Sequence, residues 1–291
     1  MSAPRPRPGV EPEEASDGTV IVITWNDRDA VLRCMQSVRD HAGDRRVHCV
    51  VVDNGSDDGT QAELRARFPE VELVELGRNH GFPARNHGLR RAQGRWRMFL
   101  DSDAQLTVGA LDTMLACLDA HPEIGLVGPR LTYPNGAPQP SARRFPPVFL
   151  PLLRRPPLSA FWRSSRAVDH HLMTDVTFDR LREVEYVIGA CQLFTREAHA
   201  RAGEIDERIF YGPDDADWCL RVRRNGFAVA IEPGAVVVHE YRRRSAARPF
   251  SALALRHLRD FAYFQRKWWP HRAWLRAESR GIEARGGVVG R

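Results

Sequence analysis

The sequence predicts an α/β protein: a mostly parallel central sheet flanked by helices, followed by a helical C-terminal extension. Three observations predict it. The runs Thr19–Thr24 and Val47–Val52 are almost wholly apolar or β-branched, the pattern of strands covered on both faces. Stretches with apolar residues at helical spacing alternate with these runs. Each strand ends in a short polar loop. Strand–helix alternation with short loops gives a parallel sheet with right-handed crossovers.

The elements follow in order. The segment 1–18 is rich in Pro, Glu and small residues and reads as a disordered tail. After the first strand, Trp25-Asn26-Asp27 closes a turn, and Asp27 or Asp29 caps a helix carrying Val31, Leu32, Met35 and Val38. The second strand ends in the loop Asp53–Thr60. A helix through Phe68 and a strand over Val71–Leu76 come next, then the loop Gly77–Phe82 and a helix over Arg85–Gln93. Arg97–Leu100 is a strand, Val108–Ala120 a helix and Gly125–Gly128 a short strand. From Arg130 the pattern changes. Tyr133-Pro-Asn-Gly136 is a turn, and 138–183 reads as a mobile loop region, rich in Pro and Arg over its first half. Order returns with strands over Val184–Ile188 and Gly189–Phe194 and a short helix over Arg196–Ala202. A helix through Trp218 stops at Asn225-Gly226, and two strands, Phe227–Ile231 and Ala235–Val238, precede His239. The organisation is thus a tail (1–18), a first half (19–128), a second half (129–240) and a basic, aromatic extension (241–291).

The composition, 43% hydrophobic and 27% charged, is that of a globular domain with a real core. A net charge of +6 raises the question of nucleic acid, but the ordered first half lacks a basic-aromatic module and carries acidic motifs instead, so no nucleic-acid partner is expected. Five scattered cysteines without ligand spacing read as buried thiols of a reducing compartment. With no signal-peptide pattern and no long apolar run, the expectation is a cytoplasmic protein.

The polar loops all follow strands and so converge on one edge, outside the carboxyl ends of the strands, where ligands of such sheets sit. Asp101 and Asp103 follow the apolar strand Arg97–Leu100, with only Ser102 between them. Two like charges there are costly unless a cation or donors offset them. A divalent ion that also holds a diphosphate does so; a strand end followed by a helix cap fits the same residues. Asp53 follows three valines, where a carboxylate can accept from a base imide or ribose hydroxyl or simply cap its turn. Arg85, at the helix start after Asn79-His-Gly-Phe-Pro-Ala, can reach a phosphate. Asp214, Asp215 and Asp217 crowd a helix N-terminus, which favours acids in any case. Beside Tyr211 and Trp218 they also form a mixture suited to a general base and a sugar-stacking ring. His239, at a strand end, can add a metal ligand beside Asp101 or Asp103.

Together the segments Val22–Asn26, Val51–Thr60, Asn79–Asn86, Leu100–Asp103, Gly189–Cys191, Gly203–Glu207, Phe210–Asp217, Leu220-Arg221 and Val238-His239 resemble the family 2 inverting glycosyltransferases of the GT-A fold, especially the bacterial rhamnosyltransferase-like branch. The resemblance spans about Val20–Lys267 and implies a Rossmann-like sheet. It implies that Thr24 and Asp53 hold the nucleotide base with Asn26 nearby, that Asn79 and Arg85 lie along the ribose and diphosphate, and that Asp101 and Ser102 face the donor. It further implies that Asp101, Asp103 and His239 ligate Mg²⁺ or Mn²⁺, and that Asp215 is the base that deprotonates the acceptor. Asp214, Asp217, Trp218 and Tyr211 fall on the acceptor side. Asp214 departs from the glutamate usual in the family. The implied donor is a dTDP- or UDP-linked sugar, rhamnose first, and the acceptor a glycan, lipid-linked or small molecule. A catalytically silent scaffold of the same fold or a nucleotide-binding protein is the alternative; against the scaffold, Asp101, Asp103, Asp215 and His239 stand intact. The extension reads either as an interfacial helix at an anionic membrane, through 251–275, or as an amphipathic helix packed on the domain.

Overall fold

The computed structural model describes residues 16–147, 166–240, 251–287 and 289. Most of the tail read over 1–18, the middle of the loop region 138–183 and the start of the extension lie outside the described residues.

Strand β1 (Gly18–Thr24) leads to α1 (Arg28–His41), β2 (Val47–Asp53), α2 (Thr60–Arg67) and β3 (Glu72–Glu75). The short α3 (Arg85–Leu89), β4 (Trp96–Asp101), β5 (Ala104–Leu106), α4 (Ala110–Ala120) and β6 (Ile124–Thr132) follow. Then come β7 (Pro138–Gln139), β8 (Ala142–Arg143), α5 (Arg166–Leu172), β9 (Arg182–Glu183), β10 (Tyr186–Val187), β11 (Cys191–Thr195), α6 (Arg196–Ala202), α7 (Asp214–Arg224) and β12 (Ala228–His239). Helices α8 (Ala252–Trp268) and α9 (Arg272–Ala284) form the described part of the extension.

The main path of the sheet runs β3-β2-β1-β4-β11-β6-β12-β5. Its first half is parallel, as the alternation predicts. Its second half is mixed, because β11 runs antiparallel between β4 and β6. The alternation Val20, Val22 against Ile21, and Met98, Leu100 against Phe99, feeds two cores. One includes α1 and α4 residues such as Val31, Met35, Leu111 and Met114. The other includes Trp218, Leu220, Phe264 and Trp268.

Three features differ from the sequence reading. The two strands expected around Pro233-Gly234 are one strand, β12, interrupted by a register shift between Glu232 and Val236. The triplet β5, unforeseen, pairs with β12 and sets His239 opposite Ala104, next to Asp103. Within the run read as a mobile loop, β7 pairs with β6 and β8 with β10.

Of the two readings of the extension, packing on the domain is what α8 does. Phe261, Phe264 and Trp268 are buried, and full burial of such side chains contributes roughly 1.5–3 kcal/mol each. Trp268 Nε1 donates to Asp217 at 2.8 Å, and Lys267 Nζ reaches Asp206 at 2.8 Å. Asp260, fully buried, accepts from the backbone N–H groups of Phe210 at 2.8 Å and Tyr211 at 3.0 Å. Among the described residues, no helix is long and apolar enough to cross a membrane.

Candidate active site

The carboxyl ends of β2, β1 and β4 lie side by side, since Thr24 is in register with Asp53, and Ile23 with Asp101. Thr24 and Asp53 are buried, and Thr24 Oγ1 and Asp53 Oδ1 have no hydrogen-bond partner. A buried polar atom without a partner costs about 1–3 kcal/mol. Two of them, Thr24 Oγ1 and Asp53 Oδ1, stand on neighbouring strand ends. Asp53 Oδ2 is already used, accepting from Ser56 N at 3.1 Å and Gln61 Nε2 at 2.7 Å, so the carboxylate is held in one orientation.

Asn26 and Asn79 shape the loops around these strand ends. Asn26, in the left-handed region at φ 49°, accepts from Asp57 N at 2.8 Å. Asn79 Oδ1 accepts from Gly81 N at 2.8 Å. Gly81 has φ 73°, and a Cβ there would lie 2.1 Å from the Phe210 carbonyl oxygen, so the loop requires glycine.

At the end of β4 the acidic pair meets a histidine. His239 Nε2 is 3.2 Å from Asp103 Oδ1 and 4.0 Å from Asp101 Oδ2. One ligand atom from each of the three lies within 4.8 Å of the others, the spacing of a metal-ligand group. Two carboxylates and one imidazole suit Mg²⁺ or Mn²⁺ that keeps positions open for phosphate oxygens. Burial pushes the Asp101 carboxyl up and the Asp103 charge adds to this, while Arg85 and His239 oppose it. For His239 burial works downward, but the bond to Asp103 and the surrounding acids outweigh it and raise the imidazole. A cation among these groups relieves that crowding. Ser102 Oγ turns away, to Asp27 Oδ2 at 3.4 Å.

Arg85, expected along the diphosphate, is placed differently. It is 1% exposed, donating to Asp101 Oδ1 at 2.7 Å, Asp214 Oδ2 at 3.2 Å and the Gly189 carbonyl at 3.0 Å. The guanidinium is spent on tying the two acidic motifs together. Asp214 is correspondingly buried, facing Arg85 rather than an acceptor. Its carboxyl is pushed well above the ordinary range by burial and then by the charge of Asp215.

Asp215 is the half-buried member of the pair. Burial pushes it up to about 6, against the Ala216 and Gly189 backbone N–H groups and the charges of Arg143 and Arg85. A carboxylate poised there suits proton abstraction near neutral pH. Tyr211, half-buried, stacks on Phe82 with centroids 5.4 Å apart.

Two acceptor-side expectations are corrected. Trp218 is fully buried, packed on Phe99 and Phe194, so it stacks on no sugar. Asp217, 1% exposed, is bound by Arg221, Trp268 and Lys267 and anchors α8. The sequence reading missed Gln139, which touches His239, and Gly189, which touches Arg85 and Asp215. The Gly189-Ala-Cys triplet was a signal for the second; a proline- and arginine-rich run concealed the first.

With this geometry in view, comparison with known proteins is informative. The family model described as Glycosyl transferase family 2 matches residues 19–201. An N-acetylglucosaminyl-diphospho-decaprenol L-rhamnosyltransferase of Mycobacterium tuberculosis is 27% identical over 281 residues, 90% of this chain and 87% of the relative. Among solved structures, the mannosyltransferase PcManGT from Pyrobaculum calidifontis in complex with GDP-Man and Mn²⁺ superposes with a TM-score of 0.54 at 23% identity, over 78% of this chain and 58% of that one. GalNAc-T7 with UDP, GalNAc and Mn²⁺ gives 0.66 at 16% identity, over 87% of this chain and 49% of that one. The chain thus spans about half the length of these solved neighbours, and at such identities they speak for the fold alone.

Proposed function

The chain belongs to glycosyl transferase family 2, and we propose that it is an inverting transferase moving a sugar from a nucleoside diphosphate to the hydroxyl of a lipid-linked or other glycan acceptor. One observation carries the reading. The unpartnered Asp53 Oδ1 and Thr24 Oγ1 and the group Asp101, Asp103 and His239 lie at neighbouring strand ends, and the raised carboxyl of Asp215 stands in the first turn of α7, which Arg85 ties to Asp101 through Asp214. That order, base then diphosphate then sugar, is the order of parts in a nucleotide sugar.

In this reading Asp53 Oδ1 accepts from a base imide N–H, which favours uracil or thymine, and Thr24 Oγ1 completes the pairing. Asp101, Asp103 and His239 would hold Mg²⁺ or Mn²⁺, which would neutralise charge on the diphosphate leaving group. Asp215 takes the proton of the acceptor hydroxyl as its oxygen bonds to the anomeric carbon from the face opposite the diphosphate. Arg85 holds Asp214 and Asp101 at a fixed spacing, so the base and the donor site keep their relative places. The name of the rhamnosyltransferase relative supports rhamnose as the sugar and a lipid-diphosphate acceptor, and an imide-accepting Asp53 fits a dTDP- or UDP-linked donor.

A membrane contact through 251–275 has its own support. The outer side of α8 and the turn after it expose Leu255, Arg256, Arg259, Arg266 and Trp269, a basic stripe with two apolar anchors.

The test is thermal unfolding with UDP, dTDP and GDP, each with Mn²⁺ or with EDTA. A ligand at a hundred times its Kd adds about 2.7 kcal/mol, several degrees for a chain of this size. The expected result is a metal-dependent rise with a pyrimidine diphosphate. No rise with any nucleotide in Mn²⁺ overturns the donor site.

A further inference from the structure

Gln139 grips His239 from the side away from the carboxylates. Both are buried, at 5% and 4% exposure. Gln139 Oε1 lies 2.7 Å from His239 Nδ1, and Gln139 Nε2 donates to the His239 carbonyl oxygen at 3.4 Å. Chemistry fixes which end of the amide is which. A carbonyl oxygen only accepts, so the NH₂ end faces it and the amide oxygen faces the ring. An oxygen opposite Nδ1 requires a proton on Nδ1, and the other nitrogen, Nε2, is the one beside Asp103.

The sheet explains how a residue a hundred positions away reaches this ring. Strand β6 lies between β7 and β12, with Leu131 in register with Gln139 on one side and with Val237 on the other. The turn at Tyr133–Gly136 returns the chain so that Gln139 arrives level with the end of β12. A glutamine on the surface of a loop has no reason to be 5% exposed; one that holds a ligand in place does.

We propose that Gln139 is a positioning residue of the metal site: it keeps the proton of His239 on Nδ1 and turns Nε2 toward the ion shared with Asp101 and Asp103. The inference rests on the metal reading given above, and the test separates the two. Removal of a group that orients a metal-ligating histidine costs about 10–100-fold in metal affinity.

Mn²⁺ alone is titrated into the full chain, read by the loss of the free-ion spin-resonance signal. Gln139→Met keeps the length and removes the acceptor; Gln139→Glu keeps the acceptor. The expected result is Mn²⁺ binding weakened about 10–100-fold in the first and within about threefold of the original chain, or tighter, in the second. Equal binding by Gln139→Met overturns the inference. So does equal loss in both variants, which would mean packing alone. Failure of the original chain to bind Mn²⁺ overturns the metal reading itself.

Discussion

Asp215 titrates where an exposed aspartate does not. With its carboxyl pushed up to about 6, the base proposed here loses its charge as pH falls through that value. We expect kcat to be level at neutral pH and to fall about tenfold per unit on the acid side of about 6; a limb near 4 removes Asp215 from the role. Arg143 holds that carboxyl down from where burial alone would put it, so Arg143→Gln moves the limb to higher pH. Asp215→Asn lowers kcat by about a hundred- to ten-thousandfold and leaves nucleotide affinity within a few-fold, as kcat and a UDP or dTDP titration together report. The same shift has a cost in stability. A carboxyl raised in the folded state favours folding most when protonated, and that advantage is lost as pH rises from about 4 through about 6. Asp215→Asn therefore raises the Tm at pH 7. The residue types of the site were legible from the sequence, and their facing was not. Asp214 to Trp218 gave a mixture of acids and an aromatic, but the helix surface that meets the sheet decides which are reachable. That surface takes Asp217 and Trp218 inward and leaves Asp215 half-buried.

Helix α8 holds the loop in front of the active site as well as covering a core face. Asp260 accepts two backbone N–H groups there. Asp260→Ala takes the acceptor from both part-buried N–H groups, a loss of about 0.5–1.5 kcal/mol each. The expected result is a lower Tm and a raised acceptor KM with nucleotide affinity kept; unchanged KM would reduce Asp260 to a packing role. Asp206 secures the same helix. Burial works to raise its carboxyl, but Arg208, Lys267 and Tyr263 outweigh burial and hold it below the ordinary carboxylate range. A depressed carboxyl contributes above its unfolded value, about 3.9, and loses that contribution as pH falls further. Asp206→Asn should lower the Tm at pH 7 and have little effect in strong acid. Parallel strands with helices between them were legible because their apolar runs are long. The triplet β5 and the pair β7 were not, since so few residues carry no period, and Pro233-Gly234 imitates a turn inside β12.

Charge is divided unevenly over the whole molecule. Residues 241–291 carry thirteen basic and three acidic side chains, and the remaining sequence is net acidic. Of its described part, Arg256, Arg259 and Arg266 lie on the outward side of α8 with Leu255, and Trp269 follows in the turn after it. We expect the protein to sediment with phosphatidylglycerol vesicles at low salt, to be released by high salt and to ignore phosphatidylcholine. Leu255→Ser with Trp269→Ser should abolish sedimentation at unchanged Tm; equal recovery on both vesicle types sinks the membrane contact. The net charge alone did not reveal this division, because the acidic remainder hides it.

Ribosomes deliver residues in numerical order. A polypeptide halted between His239 and Asp260 already contains every side chain assigned to donor, ion and proton transfer, yet its Phe210–Tyr211 loop has no carboxylate to fasten it. The brace is synthesised after the parts it sets. Until α8 has cleared the exit tunnel, the nascent enzyme holds its chemistry in loose form, and competence comes with the helix that does none of the reaction itself.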